Sequence, residues 1–327
     1  MKLFTIALPC AALALFACGP MESAVDGGDS AAASNNDSSR SEAGAVSDGS
    51  TSTMDGAVSP QDSSVIAQDA ASIDTGVVPT RDASMSTDAG AMSSDAAAPM
   101  PSAGCGTARA PGYTCSTMMI GGMARQYCVM VPTGYNPMRA NRVRYSLHGC
   151  GGSINMSGSA SNSPFIMVYP KSEGSCWDGS TAGRDAMFIQ AIESEVERTL
   201  CVDRSRIFAD GYSSGGFMAT TLACARFAGI RAAATAGGAS GCARPMPVWQ
   251  YHGMTDTTVP YMTYGPPVRD GFVRSNGCSM TTVAVPNASA CVEYQGCRER
   301  TIWCTDGGGH RWPSWGPAAA SEFFMSF

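Results

Sequence analysis

A serine, an acid and a histidine stand in this chain in an order that can perform acyl transfer. The serine is Ser213, inside Gly211-Tyr212-Ser213-Ser214-Gly215. Residues 206–209 before it read as a short apolar strand, and 216–223 after it as a buried helix. A sharp strand-to-helix turn holds a hydroxyl exposed at its tip, and the flanking glycines leave the turn room to close. A G-x-S-x-G alone is about as often a plain Gly/Ser turn, so the rest of the chain has to decide. A serine becomes a nucleophile only beside a general base, and imidazole is the usual one.

The chain has three histidines, His148, His252 and His310. In the chain order serine, acid, histidine, His148 comes too early. His252 follows the serine, but 214–251 contain no Asp or Glu. His310 remains, with Asp256, Asp270, Glu293, Glu299 and Asp306 between it and Ser213. Asp256 is the expected acid. It lies in a turn after the strand candidate 248–251, and a carboxylate just past a strand's C-terminal end faces the same rim as the elbow. Its competing role is a turn-capping Asp. Asp306, in the glycine-rich loop before His310, is the runner-up. Asp270, Glu293 and Glu299 read as solvated surface charges. His310 follows three glycines, in a loop tight enough to carry its ring inward, and Trp312 and Trp315 close behind it argue against a purely exposed segment.

An oxyanion needs two amide donors. One is expected at Ser214, the residue after the nucleophile. The other is expected from the glycine-rich loop 148–152, which follows the strand candidate 143–147. His148 in that loop is then structural rather than catalytic.

Strands are expected at 126–131, 143–147, 165–169, 206–209, 232–236, 248–251, 291–294 and 301–304. Helix candidates lie between them. Over 184–200, Phe188, Ile189, Ile192, Val196 and Leu200 recur at helical spacing, with Glu193, Glu195 and Glu197 off that stripe. Alternating strands and helices imply an α/β class: a mostly parallel central sheet with helices on both faces.

Four segments in this order, "LHGCGG", "VDRSRIFADGYSSGG", "HGMTDTTVPY" and "GGGHRWP", resemble the esterase family that joins feruloyl and acetylxylan esterases with poly(3-hydroxybutyrate) depolymerases. The similarity spans roughly residues 105–316. It implies an α/β-hydrolase fold, a Ser213–Asp256–His310 triad, and oxyanion amides at Cys150 and Ser214. It also implies a disulfide between Cys150 and Cys176, since Cys176-Trp177 is similar to a family Cys-Trp that pairs with the cysteine of the "HGC" loop. Two positions depart from the family pattern. Gly151-Gly152 stands where the depolymerase branch commonly has a Gln, and Ser214 where Ala or Asn is frequent.

Residues 104–327 form one expected domain of 224 residues, enough for a sizeable core. Twelve of the 14 cysteines fall in it. An even number behind a secretion signal argues for disulfides in an oxidising compartment. Metal is the alternative, but no Cys-x-x-Cys pair occurs. Bridges among Cys278, Cys291, Cys297 and Cys304 would stiffen the loop that carries His310. Cys224, inside the helix after the elbow, is also readable as a free buried thiol.

Lys2 and the apolar run after it, shorter than a typical transmembrane helix, read as a signal peptide over 1–17. Leu15-Phe16-Ala17-Cys18 resembles a bacterial lipobox, with Cys18 the lipidated first mature residue; a plain secretory signal is the rival. Residues 18–103 are Ser, Ala, Asp and Gly without periodicity, the composition of a disordered tether, with a reach of about 50 Å. Between 19 and 103 stand thirteen acids and two arginines, which leaves 18 bases and 14 acids in 104–327. The net charge of −6 thus belongs to the tether, and the domain is mildly basic. No basic cluster interleaves with aromatics, so nucleic acid is not an expected partner.

The chain therefore reads as a secreted, lipid-anchored serine carboxylesterase of bacterial cell-surface or periplasmic type. It needs neither cofactor nor metal, and the lipid is its expected membrane contact. A polysaccharide-linked phenolic or acetyl ester is the first expected substrate and a polyester the second. Trp177, Trp312 and Trp315 are candidates for the substrate rim or for packing. A cell-surface binding module whose chemistry has lapsed is the reading of another class.

Overall fold

The computed structural model describes residues 98–154 and 162–327. The expected signal segment, Cys18 and the tether as far as residue 97 lie outside the described residues.

In chain order the elements are β1 (Gly112–Ile120), β2 (Met123–Val131), β3 (Asn141–Leu147), β4 (Phe165–Pro170), α1 (Arg184–Thr199), β5 (Val202–Tyr212), α2 (Ser214–Ala225), β6 (Ile230–Ala236), β7 (Val248–Tyr251), α3 (Tyr261–Tyr264), α4 (Pro266–Ser275), β8 (Thr282–Ala284), β9 (Cys291–Tyr294), β10 (Thr301–Cys304) and α5 (Gly316–Met325). They build one sheet in the order β1-β2-β4-β3-β5-β6-β7-β10-β9-β8. The middle run from β4 to β10 is parallel. Antiparallel pairs close both ends.

Side-chain alternation along the strands divides the core into two layers. Val143, Tyr145 and Leu147 of β3, Ile166 and Val168 of β4, and Ile207 and Ala209 of β5 pack with α1, α2 and Phe272 of α4 on one face. Phe165, Phe208, Trp249 and Tyr251 pack with Ala320, Phe323 and Phe324 of α5 on the other. Phe208 and Phe324 stack at 4.8 Å. Fully burying a side chain of this size contributes about 1.5–3 kcal/mol. Ala234 and Ala236 of β6 stand beside Trp249 and Tyr251 of β7, so small residues make room for large ones.

In α1, Phe188, Ile189, Ile192 and Val196 are buried as the spacing predicts, and Arg198 in the last turn suits the helix dipole. Asp185 in its first turn is buried and accepts from Arg125 Nη2 at 2.6 Å. The eight expected strands are present; 248–251, 291–294 and 301–304 have the expected bounds, and the other five run further. β1, β8 and α5 were not among the placed elements. β1 is exposed along nearly its whole length, so it carries no apolar alternation to read. Its place comes from pairing with β2 and the Cys115–Cys128 disulfide.

The folded unit also begins earlier than residue 104. Met100 N–H donates to Asp203 Oδ1 at 3.0 Å, and Ser102 Oγ donates to Leu200 O at 2.7 Å. All twelve domain cysteines pair: 105–201, 115–128, 150–176, 224–242, 278–297 and 291–304. Cys224 is therefore bridged, not a free thiol. It points from α2 toward the loop after β6, where Cys242 waits.

Candidate active site

Ser213 sits between β5 and α2 with φ 53° and ψ −121°, backbone that a residue with a Cβ adopts only under strain. The sequence permits it because the neighbouring glycines are crowded from outside. A Cβ on Gly211 would lie 2.1 Å from Gly215 O, and one on Gly215 would lie 2.2 Å from Leu147 O. The elbow is thus pressed onto the end of β3, and any side chain at either glycine would push it away.

Because β7 and β10 are parallel neighbours, the loops that follow them leave the same rim. They carry Asp256 and His310. The two loops are laced together: Met254 N–H donates to Asp306 O at 2.8 Å, Thr255 N–H to Gly308 O at 3.0 Å, and Thr255 Oγ1 to Gly307 O at 3.2 Å. His310 Nδ1 lies 2.7 Å from Asp256 Oδ2. A carboxylate can only accept here, so Nδ1 carries the proton and Nε2 keeps its lone pair. The other carboxylate oxygen accepts the Thr258 and Val259 amides at 3.0 and 2.9 Å. Asp256 is 4% exposed, so its charge is held by these bonds rather than by water.

The ring of His310 packs on Tyr212 at 4.9 Å, and the Tyr212 hydroxyl donates to His310 O at 2.9 Å. Ser213 N–H donates to Ala236 O at 2.9 Å, which ties the elbow to the end of β6. Gly237 follows. A Cβ there would lie 3.0 Å from His310 Nδ1 and 3.4 Å from Asp256 Oδ2. The elbow, the acid and the base thus meet around one short stretch of backbone.

Asp306, the runner-up acid, has a different place. Its carboxylate accepts from the Tyr251 hydroxyl at 2.6 Å, the Gly308 amide at 2.8 Å and Arg311 Nη2 at 2.7 Å. Burial works to raise its pKa, but these bonds and the Arg311 charge prevail and hold it low. Asp306 folds the glycine loop that presents His310. Tyr251 pays the corresponding cost, since burial and the carboxylate push its hydroxyl well above the usual phenol range.

His252 is fully buried beside the same acid. Its Nε2 lies 2.8 Å from Val259 O, which makes it the protonated nitrogen, and 3.4 Å from Asp256 Oδ2. Its Nδ1 is buried without a partner. Burial lowers its pKa, consistent with a neutral ring. Chain order alone gave no hint of this contact; the i, i+4 spacing of His252 and Asp256 was the available signal.

The loop after β3 approaches the elbow closely. A Cβ on Gly149 would stand 3.4 Å from Ser213 Cβ. Gly151 N–H donates to Ser175 O and Gly152 N–H to Gly149 O. Neither the Cys150 amide nor the Ser214 amide, at the first turn of α2, donates to an acceptor among the described residues. The Cys150–Cys176 disulfide pins the loop to the segment after β4. His148 is structural, as expected: its Nε2 accepts from Ser172 N–H at 3.1 Å and its ring packs on Trp177 at 5.1 Å.

The three tryptophans separate. Trp177 is 6% exposed and donates through Nε1 to His148 O at 2.8 Å. It is a buried support of the 148–152 loop rather than an exposed rim residue, because its indole satisfies a carbonyl of that loop. Trp315 packs edge-on to Trp249 and Tyr251. Trp312 also packs on Trp249, at 6.1 Å, and lines the cavity beside His310. Among the described residues no group of three or more His, Cys, Asp or Glu could hold a metal ion, and no helix is long and apolar enough to cross a membrane.

No protein-family model matches the sequence. It is 32% identical over 252 residues to feruloyl esterase C of Emericella nidulans, covering 69% of this chain and 91% of that protein. It is 33% identical over 269 residues to feruloyl esterase D of Neurospora crassa, covering 70% of this chain and 92% of the other. Its fold is similar to that of the acetyl xylan esterase from Aspergillus awamori, with a TM-score of 0.51 at 19% identity over 65% of this chain and 100% of that one.

Proposed function

The chain belongs to the feruloyl esterase family, a family of carboxylic ester hydrolases with the α/β-hydrolase fold, and on that premise we propose that it cleaves phenolic esters through an acyl-enzyme on Ser213. His310 Nε2 removes the Ser213 proton as the hydroxyl attacks the ester carbonyl. Asp256 holds the imidazole in the tautomer that can accept this proton and stabilises the cation that forms. The Cys150 and Ser214 amides receive the oxyanion. Collapse expels the alcohol, which takes the proton from His310. Water, deprotonated by His310, then attacks the acyl-enzyme, and His310 returns that proton to Ser213 Oγ as the ester bond to it breaks and the acid leaves.

The observation that carries this reading is the 2.7 Å bond between His310 Nδ1 and Asp256 Oδ2, on loops laced together beside an elbow serine at positive φ. A lapsed binding module would have no need to keep that strain. The phenolic substrate rests on the relatives' names, feruloyl esterases C and D. Six disulfides favour export to an oxidising compartment. A signal over 1–17 and a lipid on Cys18 would supply the route and the membrane contact, with the polar segment after Cys18 as the tether to the folded domain. Labelled palmitate should enter the wild type and not Cys18→Ala; undiminished label in the variant rejects the anchor.

The substrate is tested by kcat/KM of the purified protein on methyl ferulate, acetylated xylan and poly(3-hydroxybutyrate). Methyl ferulate should lead. A clear preference for either polymer would overturn the phenolic assignment.

A further inference from the structure

His252 touches the triad acid, yet the acyl-enzyme cycle gives it no part. It follows directly on β7, where the two site loops meet. Its backbone N–H donates to Cys304 O at 3.1 Å, and its carbonyl accepts from Thr305 Oγ1 at 2.8 Å. The residue is thus tied to the strand end that leads to His310. Its ring is fully buried and meets the Tyr261 ring edge-on at 5.7 Å. Among the described residues, the titratable groups that face it are Asp256, His310 and Tyr261.

Burial lowers the pKa of His252 and keeps the ring neutral, and a neutral imidazole has a single N–H. Val259 O accepts from Nε2 at 2.8 Å, so that nitrogen carries the proton. The same Nε2 lies 3.4 Å from Asp256 Oδ2, the oxygen that accepts from His310 Nδ1 at 2.7 Å. Oδ2 therefore stands between two imidazole N–H groups. Val259 closes the arrangement. Its carbonyl accepts from His252, while its amide donates to Asp256 Oδ1 at 2.9 Å. His252 thus acts on both carboxylate oxygens, on Oδ2 through its polar edge and on Oδ1 through the Val259 peptide.

The placement has a cost. His252 Nδ1 is buried without a partner, and an acceptor buried unpaired forfeits its bonds with water. A phenyl ring could pack on Tyr261 without that loss. What a phenyl ring lacks is an N–H beside a carboxylate that is itself 4% exposed, where a nearby dipole is little screened.

We propose that His252 is a positioning residue of the triad, whose Nε2–H holds the Asp256 carboxylate in the orientation that His310 Nδ1 requires. It acts through Asp256 and does not line the cavity beside His310. Without it the carboxylate can turn, and His310 Nε2 loses its aim at the Ser213 hydroxyl. The proposal rests on the esterase reading above and adds one residue to its machinery.

The test measures kcat and KM on p-nitrophenyl acetate for the full chain and for His252→Phe, His252→Gln and His252→Asn, with a thermal melt on each. Phenylalanine keeps a ring and removes the N–H. The glutamine amide nitrogen reaches about where Nε2 stands, and the asparagine amide falls short of it. Loss of one hydrogen bond to a charged group should lower kcat by about tenfold in His252→Phe and His252→Asn. His252→Gln should keep kcat within about threefold of the wild type, and KM should stay nearly constant throughout, since all three changes are remote from the cavity. If His252→Phe does not fold, the contrast between His252→Gln and His252→Asn carries the test. Wild-type kcat in a folded His252→Phe, equal kcat in the Gln and Asn variants, or a change in KM instead of kcat would overturn the proposal and leave the esterase reading standing. A wild type inactive on this ester would overturn both.

Discussion

Gly237 offers a sharp test of how the triad is held, because it touches the base and the acid without being either. It has φ +61°, and a Cβ added there would lie 3.0 Å from His310 Nδ1, 3.1 Å from His310 Cε1 and 3.4 Å from Asp256 Oδ2. Gly237→Ala therefore has two separable effects. The left-handed backbone costs a residue with a Cβ about 1–2 kcal/mol, which lowers the melting temperature of a domain this size by roughly 2–8 °C. The new methyl also prefers about 3.5 Å from its neighbours, so the imidazole must retreat by roughly half an ångström. A misplacement of about 1 Å can cost on the order of 100-fold in rate; half of that should cost about tenfold in kcat. Gly237 is not among the residues lining the cavity, so KM should change little. The assay is kcat and KM on methyl ferulate, with a thermal melt on the same sample. A folded variant with wild-type kcat would refute the claim that this backbone sets the position of His310.

Asp256→Asn should lower kcat by about 10,000-fold, because the amide stabilises the wrong imidazole tautomer, whereas Asp306→Asn should cost only the order of its loop; comparable losses in the two would undo the division of roles. Removing the loop bridge with Cys150→Ala and Cys176→Ala should cost about 3 kcal/mol of stability and lower kcat more than KM changes, as read by a melt and steady-state kinetics. Glu193 gives a pH prediction. Burial pushes its carboxyl from 4.5 up to about 7, against a hydrogen bond from Tyr145 that works to lower it. The folded state thus binds this proton more tightly than the unfolded chain. The resulting stability is complete below pH 4.5 and is lost as pH rises through about 7. The melting temperature of the wild type should fall between pH 5 and pH 8 relative to Glu193→Gln, and parallel profiles would contradict this.

Much of the site was legible because catalysis restricts residue types so severely. With three histidines in the chain, the order of serine, acid and base left one workable base. The strand ends at 251 and 304 were readable from apolar runs, and the loops that carry Asp256 and His310 depart from them; β5 runs on to Tyr212, past its expected end at 209. What sequence hid was tertiary. Trp177 looks like a rim aromatic in one dimension, but its indole is used on the His148 carbonyl. Asp306 looks like a rival acid until Tyr251, Gly308 and Arg311 are seen to surround it. β1 has no apolar stripe because it sits at the sheet edge. The Arg144–Asp210 pair joins residues 66 positions apart, and nothing local marks either as the other's partner.

The account turns on Ser213 being the nucleophile. The most direct measurement is kcat on methyl ferulate for the wild type and for Ser213→Ala, with a melt to show that both are folded. Loss of the nucleophile should lower kcat by on the order of 10⁶-fold, leaving only the rate that binding and the oxyanion site sustain. A folded Ser213→Ala protein that still turns over methyl ferulate at the wild-type rate would contradict the account.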